Sequence, residues 1–536
     1  MTLRLRNTLS RDVEPVLPLE ASRPGLPGRV RMYSCGPTVY RYAHVGNLRT
    51  FLLADLIRRV LLYHGLEVVH IQNITDVGHL RDERFDRGED RMLVAAKLEN
   101  RSTGEIAAAY EAAFHADAAL LNLLPAHAYP RATDHIDGMV AMAERLVDAG
   151  FAYATPGGTV YFDVSRFPGY GKLSGNTLDQ LRAGHRVEVE PDKRDPADFA
   201  LWKRAGEGRL MKWPTARWGE GFPGWHIECS AMSQEYLGDE FEIHTGGIDN
   251  VFPHHEDEIA QSEALSGRVP ARLFVHGEHL LLGGRRMAKS AGNFQRLTDL
   301  VDDGFDPLAF RYLCLTSRYG HKLNLSTDSL RGAGAALDSL RARLGALGPA
   351  PADGPWAAPV PLVAGAAGGR PEGVTAGVRG QQESPDPALD SYGIADRAHR
   401  PEAPLSDAGR AFHDRFVAAL DDDLDMPAAL ATVREILRAP LAGDERRWLV
   451  LDADAVLGLD LHRAWEAAEG ARDASDAGTS RAAGLPPGAA QLIALRSDAR
   501  AAHDYARADA LRDELAARGV EVVDRAGGAS EWRLRG

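Results

Sequence analysis

Cysteine is scarce in this chain: three residues in 536, at positions 35, 229 and 314. So few thiols, so widely spaced, do not make a disulfide framework. A cysteine with a task here is a metal ligand or a nucleophile; otherwise it packs as a small apolar residue. Runs of about 18 or more apolar residues are also missing, which argues against a helical membrane span. The opening segment MTLRLRNTLSRDVEPVLPLE has no apolar stretch of signal-peptide length, so a cytoplasmic protein is the expectation. Positive charge is in deficit: 62 Lys and Arg against 76 Asp and Glu leave a net charge of −14. That argues against a surface coated for non-specific nucleic-acid binding. A local basic patch stays compatible, because salt confines fields to about 8 Å. No internal repeat is evident.

What is there is ordinary in bulk and informative in order. Hydrophobic content of 44% and charged content of 26% suit a globular protein, and the length calls for more than one domain. GRVRMYSCG reads as a short strand. NLRTFLLADLIRRVLLYHG follows, with Leu52, Leu53, Leu56, Val60 and Tyr63 spaced for a buried helix face and Gly65 as its stop. LEVVHIQNITD reads as a second strand. Strand, helix and strand with short joins imply a right-handed parallel crossover, hence a Rossmann-like α/β domain. EFEIHTGG and ARLFVHGEHLLLGG read as further strands of the same sheet.

Between about 120 and 225 a long excursion, including GTVYFDVSRFPGYGKLSG, reads as an insertion. From about 325 the pattern turns helical. Residues 348–404, dense in Pro, Gly and Ala without amphipathic period, read as a disordered insertion. A second loose linker, EGARDASDAGTSRAAGLPPG, precedes a small C-terminal unit.

The segment FPHHEDEIAQSEA, residues 252–264, sets two histidines among four carboxylates. His254 and Glu258 are four apart and share a face if the segment is helical. The run is HEDEI rather than H-E-x-x-H, so it does not support a zincin site. Taken alone it allows two readings: a metal site, or an acidic first turn that complements the helix dipole. Cys229, in GFPGWHIECSAM, and Cys35, at the end of the first strand, shift the balance. In an open parallel sheet the carboxyl ends of strands converge on one crevice, so the four can meet. Two thiolates, an imidazole and a carboxylate make a zinc set.

YSCGPTVYRYAHVGNLRTF, NITD, GYGKLSGNTLDQLRAGHRVEVEPDKRDPADFALWKR, PGWHIECSAM, HTGGIDNVFPHHEDEIAQSEA and MAKSAGN together carry a family resemblance. The chain resembles the cysteinyl-tRNA synthetases, a class I aminoacyl-tRNA synthetase family, over nearly its whole length. The resemblance implies one zinc ion per chain on Cys35, Cys229, His254 and Glu258, with His255 and Cys314 structural or peripheral. It implies that Trp225 packs against bound cysteine, that Thr75 meets its polar groups and that Asp249 meets its ammonium.

HVGN at 44–47 takes the place of the class I HIGH signature. It stands before a helix, whose first N–H groups suit phosphate; His44, Gly46 and Asn47 are therefore expected at ATP, His44 and Asn47 in catalysis. Asn47 replaces the second histidine and donates hydrogen bonds without carrying charge. RRMAKSAGN stands against KMSKS, with Arg286 for the first Lys and Ala288 for the first Ser. Arg286, Lys289 and Ser290 are expected at the triphosphate, Lys289 as the main catalytic cation. After NITD the chain reads VGHLRDERFDRGED where many relatives carry IDDKI, so the residues near Asp76 and His79 depart from the family's pattern.

The implied reaction activates L-cysteine with ATP and Mg2+ and then loads tRNA(Cys). The implied layout is a catalytic domain over 1–325, an all-α helical domain over 326–470 and an anticodon-binding unit over 484–536. In that unit Trp532, Arg533 and Arg535 are expected to stack on a base and contact phosphate. A monomer is expected. Two rivals share the signatures: a zinc-dependent cysteine ligase of mycothiol biosynthesis, which lacks the tRNA-reading tail, and a catalytically silent tRNA-binding paralogue.

Overall fold

The computed structural model describes residues 2–19, 28–78, 80–82, 87–90, 92, 94–95, 101–177, 180, 192–206, 209–286, 294–359, 403–465, 492, 496, 505–517, 520–524 and 530–534. Two compact units emerge, Met1–His462 and Arg463–Gly536.

In the first unit the expected crossover is present. Strand β1 (Arg29–Ser34) leads to helix α1 (Val45–Tyr63) and then to β2 (Glu67–Gln72), which lies parallel beside β1. An excursion follows, built as an antiparallel sheet of β3 (Ala152–Ala154), β4 (Val160–Phe162), β5 (Phe199–Arg204), β6 (Trp213–Thr215) and β7 (Gly219–Pro223), in the order β6-β7-β5-β4-β3. Helix α2 (Trp225–Leu237) returns the chain to β8 (Phe241–Gly247), helix α3 (Glu256–Ser266) and β9 (Ala271–Gly277). The main sheet is all parallel, in the order β9-β8-β1-β2. Val30, Met32, Ile71, Ile243 and Phe274 fill its interior and are fully buried. Polar residues are buried in the same strands, among them His70, Glu242 and His244, so the sheet does not read as unbroken apolar runs.

One expectation fails here. LLL at the end of ARLFVHGEHLLLGG leaves the main sheet as β10 (Leu280–Leu282). It pairs with β11 (Arg285–Arg286) and, in parallel, with β12 (Leu323–Leu325), forming a small separate sheet. The turn at 278–279 re-aims the chain, and apolarity alone does not say which sheet a short run joins.

Helix α1 is also more buried than a single apolar face requires. Asp55, Arg58 and Arg59 are buried along with the expected leucines. The Asp55 carboxylate accepts from Arg59 at 2.9 Å and from Arg311 at 2.7 Å, Arg311 lying on helix α4 (Pro307–Leu315). These two guanidiniums also donate to the carbonyls of Ala455 and Leu457 at the end of a helix that runs from Gly443 to Leu457. The pair of arginines holds Asp55 below the usual carboxylate range despite burial. Buried charges need such partners, and here they fasten the helical region to α1. That region comprises α5 (Thr327–Gly345), α6 (Asp407–Asp421), α7 (Met426–Ile436) and α8 (Gly443–Leu457). Ser326, Ser406 and Asp425 cap the first three. The 348–404 insertion lies outside the described residues from 360 to 402.

In the second unit α9 (Tyr505–Ala517) precedes an antiparallel pair, β13 (Val520–Asp524) and β14 (Ser530–Leu534), with Trp532 opposite Val522.

Candidate active site and metal centre

The acidic start of α3 is not left in water. Glu256, Asp257 and Glu258 are all buried, and each has its own partners. Glu256 accepts the backbone N–H groups of Gly171 at 2.9 Å, Leu173 at 3.1 Å and Ser174 at 2.7 Å. The GYGKLSG segment of the excursion is thus wrapped around one carboxylate. Asp257 accepts from the Tyr170 hydroxyl and lies 3.2 Å from His226 Nε2; burial pushes its carboxyl well above the usual range. Glu258 Oε2 is 2.8 Å from His244 Nε2.

Around Glu258 the four sequence-implied ligands converge. Cys35 follows the carboxyl end of β1, Cys229 sits in the second turn of α2, His254 lies in the irregular turn before α3, and Glu258 lies in the first turn of α3. One donor atom from each lies within 4.8 Å of all the others. Tetrahedral zinc, with bonds of about 2.0–2.3 Å, sets its donors roughly 3.3–3.8 Å apart, so a small inward movement of these side chains seats it. Glu258 Oε1, buried, is 3.0 Å from His254 Nε2 yet has no hydrogen-bond partner among the described residues. Burial and the neighbouring carboxylate push the Cys35 thiol up. The Cys229 thiol goes well above its usual range, through its hydrogen bond to Cys35 first and burial next. A donor set that disfavours its own anionic forms is one that a divalent cation relieves. The residues fit the ion.

His255, expected to be structural or peripheral, is built into the cluster. Fully buried, its Nε2 stands 3.1 Å from Cys35 Sγ, and its Nδ1 stands 2.8 Å from His276 Nε2. Cys35, His244, His255 and Glu258 form a second possible ligand group. The first group uses both thiols and leaves His244 and His255 to support Glu258 and Cys35 through hydrogen bonds. The second leaves the Cys229 thiol beside the ion without a bond to it, so the first is favoured. His254 is backed in turn by His226, Nδ1 to Nδ1 at 2.9 Å. The sequence reading missed His226, His244 and His276. For His244 and His276 the signal was a histidine inside a buried strand, in FEIHTGG and in LFVHG, whereas His226 lies on α2 beside Trp225. Two glycines make room: a Cβ on Gly246 would meet the His255 ring at 2.8 Å, and one on Gly36 would meet the Asn73 carbonyl oxygen at 1.6 Å.

Trp225 stacks on the His254 ring, centroids 4.5 Å apart at 29°. Thr75 is buried with its hydroxyl 3.0 Å from Glu228 Oε2, at the same carboxyl edge of the sheet. Asp249 stands apart from these. It is exposed, 2.5 Å from Arg286 Nη2 and 3.6 Å from His279 Nδ1. Asp76 is occupied structurally, accepting from the Thr133 N–H at 2.9 Å and hydroxyl at 2.5 Å, and burial pushes its carboxyl up to about 6. Cys314 is buried away from the cluster and its thiol is pushed up to about 12 by burial.

At the start of α1, His44 is the N-cap. Its Nδ1 accepts the Asn47 N–H at 3.0 Å, while Asn47 Oδ1 accepts the His44 N–H at 3.2 Å, a closed capping box. Burial, then the Arg41 charge, lowers His44 to about 4. The imidazole is therefore neutral near pH 7, with its proton on Nε2 as a donor. Asn47 keeps its Nδ2 hydrogens for another acceptor. Arg286 is described; His79, Lys289, Ser290 and Arg535 lie outside the described residues. Trp532 and Arg533 are placed in β14.

A model of the family described as "tRNA synthetases class I (C) catalytic domain" matches residues 21–335, and one described as "Cysteinyl-tRNA ligase anticodon binding domain" matches residues 482–533. The chain belongs to the cysteine–tRNA ligase family. Among curated relatives, the "Cysteine--tRNA ligase" of Alkalilimnicola ehrlichii is 38% identical over 99% of both chains. That of Thermus thermophilus is 38% identical over 100% of both. That of Salinibacter ruber is 39% identical over 100% of this chain and 98% of its own. Membership makes this a class I aminoacyl-tRNA synthetase. Among the described residues no helix is long and apolar enough to cross a membrane.

Proposed function

We propose that this cysteine–tRNA ligase selects its amino acid through a zinc ion held by Cys35, Cys229, His254 and Glu258, activates it with ATP and Mg2+, and passes it to tRNA(Cys). One observation carries the selection: two soft thiols, a borderline imidazole and a carboxylate from three segments meet within 4.8 Å in a mostly buried cluster at the carboxyl edge of the sheet. A substrate thiol with ordinary pKa near about 8.5 ionises on a metal, while a serine hydroxyl does not. A hydrophobic pocket gains only about 1–3 kcal/mol from so small a difference, so a metal is the stronger discriminator.

The chain's own groups do the rest. Trp225 walls the amino-acid pocket against His254. Thr75, positioned by Glu228, faces the substrate's polar end; Asp249 serves the ammonium once substrate displaces its present partners. His44 Nε2–H and the Asn47 amide donate to phosphate oxygens at the α1 N-terminus, where backbone N–H groups already favour negative charge. Arg286 and Lys289 neutralise the leaving pyrophosphate, aided by Ser290. The catalytic work is positioning and charge stabilisation, with little proton traffic. Trp532, Arg533 and Arg535 read tRNA in the second unit, and the match of residues 482–533 to an anticodon-binding domain favours tRNA over an amino-sugar acceptor. The enzyme works as a cytoplasmic monomer.

The test is pyrophosphate exchange with cysteine and with serine, charging of tRNA(Cys), and metal analysis of the purified protein. A metal-free protein that activates cysteine and refuses serine sinks the zinc reading. A zinc-loaded protein without exchange supports the silent paralogue.

A further inference from the structure

We propose that Arg49, in the second turn of α1, is a positioning residue that holds the two ATP-handling segments in register; this rests on the reading above. Arg49 is buried, 7% exposed, and its guanidinium donates to backbone carbonyls only. Nη1 reaches Glu278 O and His279 O, both at 2.8 Å; Nη2 reaches His321 O at 2.6 Å and, more distantly, Arg318 O at 3.5 Å. Among the described residues no carboxylate forms an ion pair with it. A buried cation held by neutral carbonyls alone is expensive to keep, and its planar fork is the property being used.

Those carbonyls belong to two legs of one small sheet. Residues 278–279 form the turn from β9 into β10, and residues 318–321 lead into β12. β10 pairs with β12 and with β11, and β11 is Arg285–Arg286, the first two residues of RRMAKSAGN. The fork therefore clamps both legs of the sheet that carries the second ATP segment onto the helix that begins with the first, at His44–Asn47. A second link runs through side chains: His279, whose carbonyl Arg49 holds, faces Asp249, and Asp249 holds Arg286. Letting go of 278–279 moves Arg286 and Asp249 together relative to the α1 N-terminus. The metal cluster is built on β1, α2 and α3 instead, and does not depend on this clamp.

The experiment uses the full chain with R49K and R49M. Lys keeps the charge and loses the fork, so a defect in R49K reports geometry. Pyrophosphate exchange is titrated separately in ATP and cysteine, alongside zinc content and Tm. The expected result for R49K is a KM for ATP raised about tenfold and kcat lowered about tenfold or more, with the KM for cysteine raised less, through Asp249, and zinc unchanged. R49M shows the same split, larger. An R49K protein with wild-type ATP kinetics overturns the proposal. So does one in which ATP, cysteine and zinc parameters fall together, or one that cannot fold, since the residue is then merely structural. If R49M fails to fold, R49K decides alone. Absence of exchange in the wild type would sink the ligase reading instead, and calorimetric ATP affinities of wild type and R49K would still decide the role of Arg49.

Discussion

Two helix beginnings in this protein handle charge in opposite ways. At the start of α1 the arrangement is local: His44 and Asn47 satisfy each other through a capping box three residues wide, partly open to solvent. At the start of α3 almost nothing is local. Glu256 is held by the excursion, Asp257 by Tyr170 and His226, and Glu258 by a histidine from β8, all in a buried setting. A site that waits for a nucleotide needs free donors. A site that holds an ion needs its donors gathered in advance, because each is costly to bury alone.

Breaking the comparison starts where the effect is largest. Cys229→Ser or Cys35→Ser is expected to abolish zinc binding and lower cysteine-dependent exchange by more than about 100-fold, judged by metal analysis and kinetics. Retained zinc with wild-type exchange in both would mean the ion sits elsewhere. Glu256→Ala leaves the N–H groups of Gly171, Leu173 and half-buried Ser174 without their acceptor and is expected to cost about 3 kcal/mol of stability by urea unfolding. A cost near zero would show that the excursion is not anchored there. His244→Ala and His255→Ala each remove a hydrogen bond to a ligand. Competition with a chelator should show about 10–100-fold weaker zinc affinity; a complete loss in His255→Ala with none in Cys229→Ser would favour the alternative ligand group.

At the other helix the effects are milder. Asn47→Ala opens the capping box at a cost of about 1 kcal/mol and slows adenylate formation, with zinc content unchanged; an unchanged exchange rate removes Asn47 from the chemistry. The smallest effect concerns pH. His44 has a folded pKa of about 4, below its unfolded value near about 6.5. Its stabilising contribution is fully present above the unfolded value. It is lost as pH falls through that window towards 4, because the unfolded chain takes up the proton first. The exchange-rate ratio of wild type to His44→Gln should stay flat from pH 8 to about 6.5 and on to about 5. A break near 6.5 would mean the imidazole titrates freely.

The strand–helix–strand start and the helical region after 325 were legible because local periodicity announces them. Leu52, Leu56 and Val60 read correctly as a buried face, but Asp55 and Arg59 on the same helix did not. Their burial depends on Arg311, which nothing nearby in the chain points to. LLL at 280–282 was assigned to the wrong sheet for a similar reason: three apolar residues carry no address. The buried histidines were the largest omission. Each is unremarkable in its own segment, and only their packing against one another and against Cys35 and Glu258 gives them a purpose.

From the chain alone came the donor chemistry, the nucleotide signatures and the kinship, since residue type and spacing are written in one dimension. Tertiary structure decided which donors meet, which charges are neutralised by distant partners, and which histidines stand behind them. The reason is geometric: coordination and buried hydrogen bonding constrain several atoms at once in space, and residues 35 and 229 are brought to one point only when a parallel sheet aligns its ends.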